Sequence, residues 1–538
     1  MNNLNRLWTL VPFALALGLT LPVQAQQKNA QKTLVYCSEG SPETFSPGQG
    51  TSGVSHDAMS PIYGRLVLHM RGSTRLLPSL AQHWQVSPDS KEFTFFLQKG
   101  VRWHSNEHFT PTREFNADDV VFMFERQWKT DHPYHAVGGA QYSFFKSTGL
   151  EKLISQVEKI DDHTVKVTLN HSTPTFLYIL SLGFAGIQSQ EYAAAMLAQG
   201  RPEIIDQHPV GTGPFYWVNY EKDTQISYRT FTDYWEGRSK LEGLEFLIVP
   251  DAQERWAKIQ NQQCHVMGFP KTEDWPAIRK HPDVRVIDLP GVNVAYLSYN
   301  LNKPPFDDVR VRKALNMVVN KRAIVERVYE GLAVPAVSLI PPTMWSYNSK
   351  LKDEPYNPKA AKKLLAEAGL ANGFTTDLWV MPVARPYMPN ANLMAELIRE
   401  DWAKIGVQVT FKTAPWGDYL KRVYAGEHQT ALLGWTGSHG DPDYFFYNLL
   451  SCDTAVPGGA NISKFCNRDY DALVLKARQL ANPALRMPLY EEAQRIFKEQ
   501  APWLTMAHSV QSVIHRKEVV NLRVSPFGGR NFYGVELK

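Results

Sequence analysis

Early in the chain, apolar and polar residues come close to strict alternation. Phe93-Thr94-Phe95-Phe96-Leu97 and Thr164-Val165-Lys166-Val167-Thr168-Leu169 carry aromatic and β-branched residues behind polar turns, Ser87-Pro88-Asp89-Ser90 and Asp161-Asp162-His163. That pattern predicts hairpin-forming strands. Between them, 117–124 reads as a helix with Asn116 as its N-cap. After about residue 290 the period lengthens. Val311, Ala314, Leu315, Val318 and Val319 recur at helical spacing behind Asp307-Asp308, which predicts a capped helix ending near Gly331. Asn357-Pro358 opens a second helix holding Leu364 and Leu365, with Gly369 near its end. Leu393, Met394, Leu397, Ile398, Trp402 and Ile405 mark a third helix, stopped by Gly406. A strand over 407–411, a short helix over 419–424 and a strand over 430–435 follow. Helices alternating with strands through short connections predict a mainly parallel sheet. Ligands of such sheets bind beyond the carboxyl ends of strands, so the loop 436–443 is a site candidate on topology alone.

The amino terminus changes the compartment. Arg6 precedes an apolar stretch over 7–21, and Val23-Gln24-Ala25 supplies small residues at −3 and −1. Residues 1–25 therefore read as a secretory signal peptide cut before Gln26. The first cysteine, Cys37, lies too far on for a lipid-anchored start. No later apolar run approaches the roughly 20 residues a membrane-spanning helix needs. A chain of 538 residues, 43% hydrophobic and 20% charged, fits several compact units rather than one core. Its formal charge of +4 is too weak for a nucleic-acid binder.

Cys37, Cys264, Cys452 and Cys466 form an even set in an exported chain, where disulfides persist. Three pairings are possible. Cys452 and Cys466 flank a Gly/Pro-containing loop and are natural partners; closing so short a loop gains roughly 3 kcal/mol in the chain-entropy account. Cys37 and Cys264 then pair by default. The alternative, a metal site, finds no CxxC and no neighbouring histidine pair, so neither a metal nor a cofactor is expected. His104 and His108 have i, i+4 spacing, but Ser105-Asn106 between them suggest a turn carrying surface histidines. No nucleophile elbow, HExxH, phosphate-binding loop or GxGxxG is present. Asp118-Asp119 and Asp307-Asp308 read as helix caps rather than acid/base pairs. The chain is not expected to be an enzyme.

Several segments together resemble the extracellular solute-binding proteins of peptide ABC transporters. Leu80-Ala81-Gln82-His83-Trp84-Gln85-Val86-Ser87-Pro88-Asp89, Lys99-Gly100-Val101-Arg102-Trp103-His104 and Asn116-Ala117-Asp118-Asp119-Val120-Val121-Phe122 match the signature region in order. Pro209-Val210-Gly211-Thr212-Gly213-Pro214-Phe215, Asp233-Tyr234-Trp235, Tyr296-Leu297-Ser298-Tyr299-Asn300, Ile340-Pro341-Pro342-Thr343-Met344-Trp345 and Gly434-Trp435-Thr436-Gly437 follow. The match runs from Lys32 almost to the last residue, and the family's two disulfides agree with the pairing above.

The resemblance implies an α/β, two-lobed periplasmic binding protein, a hinged clamp with mixed sheets. One lobe would comprise 26–289 plus 510–538, with an inserted subdomain at about 77–207, and the other 290–509. It also implies a periplasmic monomer that captures a dipeptide or short peptide and delivers it to an inner-membrane ABC permease. The family's dipeptide binders grip the ligand carboxylate with an arginine in a motif matching Met381-Pro382-Val383-Ala384-Arg385-Pro386-Tyr387, and a guanidinium suits that bidentate task. Their partner for the ligand ammonium is an aspartate after Gly-Trp-Thr-Gly, where this chain has Ser438 followed by His439. An ammonium buried without a carboxylate costs several kcal/mol. Asp441 or Asp443 would therefore substitute after a loop shift, or the ligand would be a modified peptide, a peptide conjugate or haem lacking a free amino end. Thr51-Ser52-Gly53 and Trp435-Thr436 would offer backbone partners, and Trp345, Tyr387 and Trp435 would line the cleft. A periplasmic peptide hydrolase and a chemosensory adaptor are the readings from other classes.

Overall fold

The computed structural model describes residues 32–538 apart from 51, 141, 174, 383, 384 and 438. The signal peptide, Thr51 and Ser438 thus lie outside the described residues. The architecture is mixed α/β, with two main bodies sharing strands. Thr33–Ser38 lies parallel to Gly243–Ile248 and to Val266–Met267, and the antiparallel strands Gln225–Thr230 and Phe215–Glu221 extend that sheet. Val284–Pro290 then leads through Gly291-Val292 into Asn293–Tyr299, which begins the second body. Trp503–Arg516 runs back alongside, pairing with Asn293–Tyr299 through its first half and with Val284–Pro290 through its second.

In the second body Thr375–Trp379 is parallel to both Gln408–Lys412 and Thr430–Thr436. Asn293–Tyr299, however, is antiparallel to Thr430–Thr436 and to Trp503–Arg516. The expectation of a mainly parallel sheet therefore holds only where helices cross over. Asn293–Tyr299 arrives from the other body by a two-residue link, with no helix to turn it round.

Apolar burial follows the same division. One core draws on residues between Val292 and Ala507. Another joins Leu34 to Tyr63, Phe215 to Val266 and Val513 to Val535. A third, from Leu66 to Val210, surrounds a four-stranded antiparallel sheet. In that sheet Glu92–Leu97 and Thr164–Leu169 bury alternate residues, as their pattern predicts. Both expected disulfides are formed, Cys37–Cys264 and Cys452–Cys466.

The caps fall where the sequence puts them. Asn116 and Asp119 make a capping box on Ala117–Trp128, while Asp308 and Asn357 cap Val309–Val318 and Pro358–Glu367. The helix expected to reach Gly331 is instead broken. Val319 is extended, and Asn320, whose N–H donates to Asp401 Oδ2 at 2.8 Å, caps a second helix over Lys321–Val328. A tertiary hydrogen bond outweighs the apolar period there.

His104 also differs from expectation. It is buried, its Nε2–H donates to Gly213 O at 2.8 Å, and its Nδ1 accepts from Gly211 N at 3.3 Å. Burial lowers its pKa to about 4. The two glycines allow the approach: a Cβ on Gly211 would lie 2.0 Å from Ile62 O, and one on Gly213 2.3 Å from Pro61 O. The Pro209–Phe215 motif is thus a close-contact seam between the first body and its insertion.

Candidate functional site

Most of the residues singled out in sequence lie on the second body. On the second body, Arg385 and Met388 exchange backbone hydrogen bonds of 3.0 and 2.8 Å, closing a tight turn. That turn sets the Tyr387 ring directly on Gly434, where an added Cβ would come within 2.2 Å of Tyr387 Cδ2. The Tyr387 carbonyl accepts from the Tyr329 hydroxyl at 2.7 Å. Burial pushes the Tyr387 phenol up to about 12, against the pull of the Arg385 guanidinium, which is therefore within electrostatic reach of it. Arg385 itself is half-buried. The Arg385–Met388 turn and Gly434 are thus packed together.

Trp435 is half-buried with its ring 5.5 Å from Tyr444, and Thr436 ends the strand with an exposed side chain. Among the described residues the indole N–H of Trp435 has no acceptor. His439 is buried, its pKa lowered to about 4 by burial, and its Nδ1 accepts from Asp441 N at 3.2 Å.

Asp441 corrects an expectation. Its side chain is fully buried and both oxygens are taken by Arg486, Nη1 to Oδ2 at 2.6 Å and Nη2 to Oδ1 at 2.7 Å. Such a bidentate pair leaves no free carboxylate for a ligand amine. Asp443 differs. Its N–H donates to Asp441 Oδ1 at 2.9 Å, Arg478 lies 3.2 Å from Oδ2, and Oδ1 has no hydrogen-bond partner among the described residues. Burial raises the Asp443 pKa to about 6. Of the two aspartates, only Asp443 keeps an unpaired oxygen.

The first body supplies a cavity of about 450 Å³. Gly53 lines it, next to Ser52, which caps the short helix Gly53–Met59. Its other walls include His69 and four arginines, Arg65, Arg71, Arg523 and Arg530. None of the four makes an ion pair among the described residues. Arg65 donates to Ser181 O at 2.5 Å, and burial lowers its pKa to about 10, so it stays charged at neutral pH. Asp57, which also lines the cavity, is raised by burial to about 7. Sequence reasoning missed these arginines. Two come from 65–71 and two from the tail at 523–530, and only the fold joins them. The one local hint is Gly64-Arg65, a cation set directly before an apolar run.

None of the second-body residues named above lines this cavity. The bodies nevertheless touch beside it. Thr74 Oγ1 donates to Thr343 O at 3.3 Å and accepts from Trp345 N at 3.2 Å. A Cβ on Gly440 would lie 2.7 Å from Thr74 O and 3.0 Å from His69 Nε2. Tyr178 and His439 face each other with ring centres 6.5 Å apart. Trp345 and His439 therefore belong to the contact between bodies, while the contacts described for Tyr387 and Trp435 stay within the second body.

Two bodies joined by shared strands, in a mixed α/β chain that superposes on a solved binding protein of this kind, define a two-lobed periplasmic binding protein. The chain belongs to the bacterial extracellular solute-binding proteins of family 5: the description "Bacterial extracellular solute-binding proteins, family 5 Middle" matches residues 75–456. It is 49% identical over 526 residues to the dipeptide-binding protein of Escherichia coli (strain K12), covering 97% of this chain and 98% of that one. It is 46% identical over 512 residues to heme-binding protein A of Haemophilus influenzae, covering 95% and 93%. The solved structure of HbpA2 from Haemophilus parasuis superposes with a TM-score of 0.88 at 40% identity, covering 94% of this chain and all of that one. No helix among the described residues is long and apolar enough to cross a membrane.

Proposed function

We infer that this protein binds a short peptide or peptide-like molecule in the periplasm, between its two lobes, and delivers it to an inner-membrane ABC permease as a monomer, without chemical turnover. The observation that carries this reading is the joined unit of Arg385, Tyr387 and Gly434, in a chain 49% identical to a dipeptide-binding protein. In it a half-buried guanidinium lies within electrostatic reach of Tyr387, and a guanidinium is the group suited to bidentate pairing with a carboxylate. Residues 26–289 with 510–538, and 290–509, would be the two lobes.

A second reading concerns the other end of the ligand. Ser438 replaces the family's aspartate, and Asp441 is committed to Arg486. The cavity on the first body is rich in arginines. These features favour a ligand without a free ammonium and with a further acidic group: a modified peptide, a peptide conjugate or haem. Incubating the metal-free mature protein with a dipeptide, an N-acetylated dipeptide and haem in separate titrations tests both readings. Tight binding of any of them with intact recovery by mass spectrometry supports capture, and the rank order assigns the amino end. Cleavage of the peptide would instead support a hydrolase.

A further inference from the structure

We propose that Glu107, His108 and His208 form a binding site for a first-row divalent metal ion such as Zn²⁺, Ni²⁺ or Cu²⁺. Among the described residues they are the one His/Cys/Asp/Glu cluster with ligand atoms all within 4.8 Å of one another. His108 Nε2 and His208 Nδ1 each lie 3.5 Å from Glu107 Oε1. Those two nitrogens are buried and lack a hydrogen-bond partner among the described residues. Buried polar atoms left unpaired are costly and uncommon. Two on neighbouring imidazoles, converging on one carboxylate oxygen, form a ligand set awaiting an ion. Bonds of about 2.1 Å around a tetrahedral ion put ligand atoms roughly 3.4 Å apart, close to both measured edges. Two imidazoles with one carboxylate suit borderline ions rather than Mg²⁺ or Ca²⁺.

The site is preorganised by one side chain. Residues 106–109 form a tight turn closed by backbone bonds between Asn106 and Phe109 of 3.0 and 3.3 Å. Asn106 Oδ1 accepts from His108 N at 2.9 Å, and Asn106 Nδ2 donates to His208 O at 2.9 Å. A single amide therefore fixes the backbones of both histidines, although they are far apart in sequence. The His108 and His208 rings stand 4.5 Å apart. Glu107 is exposed, leaving the remaining coordination positions open to water or an exogenous group. Sequence reasoning paired His108 with His104 and had no local signal for His208, which only the fold brings beside it.

The test uses tag-free mature protein stripped with EDTA. Zn²⁺ is titrated calorimetrically, and one equivalent of Cu²⁺ is examined by electron paramagnetic resonance. One saturable Zn²⁺ equivalent is expected, with nitrogen hyperfine structure from two imidazoles in the Cu²⁺ spectrum. His108→Ala and His208→Ala should each abolish tight binding and leave a single-imidazole spectrum. Asn106→Ala should weaken binding about tenfold through lost positioning. His83→Ala, on an exposed histidine elsewhere, should change nothing. If a histidine variant unfolds, Glu107→Gln at an exposed side chain reads the same site. Absence of a saturable equivalent, or unchanged affinity in the folded variants, overturns the proposal. Because no peptide enters the assay, its outcome is separate from that of the peptide reading.

Discussion

Tyr387 rests on the bare Cα of Gly434, so closely that an added methyl would meet the ring at 2.2 Å. Gly434→Ala should push Tyr387 away and carry the adjoining Arg385 turn with it. Overpacking of this kind costs about 1–3 kcal/mol. A lowered melting temperature together with weaker ligand binding by calorimetry is expected. Lost stability with native affinity would show that the turn does not position the ligand.

Arg385→Ala should weaken any ligand bearing a free carboxylate by about 2 kcal/mol, roughly thirtyfold, the worth of a charged hydrogen bond. Ser438→Asp should raise affinity for unmodified dipeptides and leave N-acetylated ones unimproved. Calorimetric titration of both ligands into both variants decides. An unaltered Kd for Arg385→Ala removes that residue from the site.

Asp441 and Arg486 are fully buried together, with Tyr490 Oη also within 2.9 Å of Arg486 Nη2. Asp441→Asn strands the guanidinium and should cost about 3–5 kcal/mol in urea unfolding. The double replacement Asp441→Leu with Arg486→Met removes both charges and should recover a large part of that loss. Equal losses in the single and double variants would mean that the packing, not the charge, was at stake.

Asp443 gives a pH signature. Its carboxyl is raised from 3.8 to about 6 by burial, so the folded state holds the proton more tightly than the unfolded state. The contribution to stability is present below about pH 4 and is lost as pH rises through about 6. Asp443→Asn should therefore stabilise the protein relative to the parent at pH 7 and not at pH 4, measured by urea midpoints. A difference independent of pH would place the carboxyl in a more polar setting.

What the sequence made legible was local. Asn116, Asp308 and Asn357 cap helices because a side-chain acceptor before an apolar helical period needs no tertiary help. The motifs containing Arg385 and Gly434 were readable singly, but their contact was not, since some fifty intervening residues fold two helices and a strand between them. Arg486 as the holder of Asp441 was invisible for the same reason, an arginine in an amphipathic helix being ordinary. The break at Val319 needed Asp401, and the burial of His104 needed the glycine seam at Gly211 and Gly213. Each miss is a case where a distant partner, not the local pattern, decides the conformation.

Trp503–Arg516 serves as a rung of both large sheets, and Asn293 is bonded to its middle through Ser509 N at 2.9 Å and Ser509 O at 3.1 Å. The halves of the molecule are consequently geared rather than tethered. A rotation of one must be transmitted as twist along a single ribbon, with little room for sliding or independent tumbling. Any closure of one half on the other would then be felt along all fourteen consecutive residues of that strand.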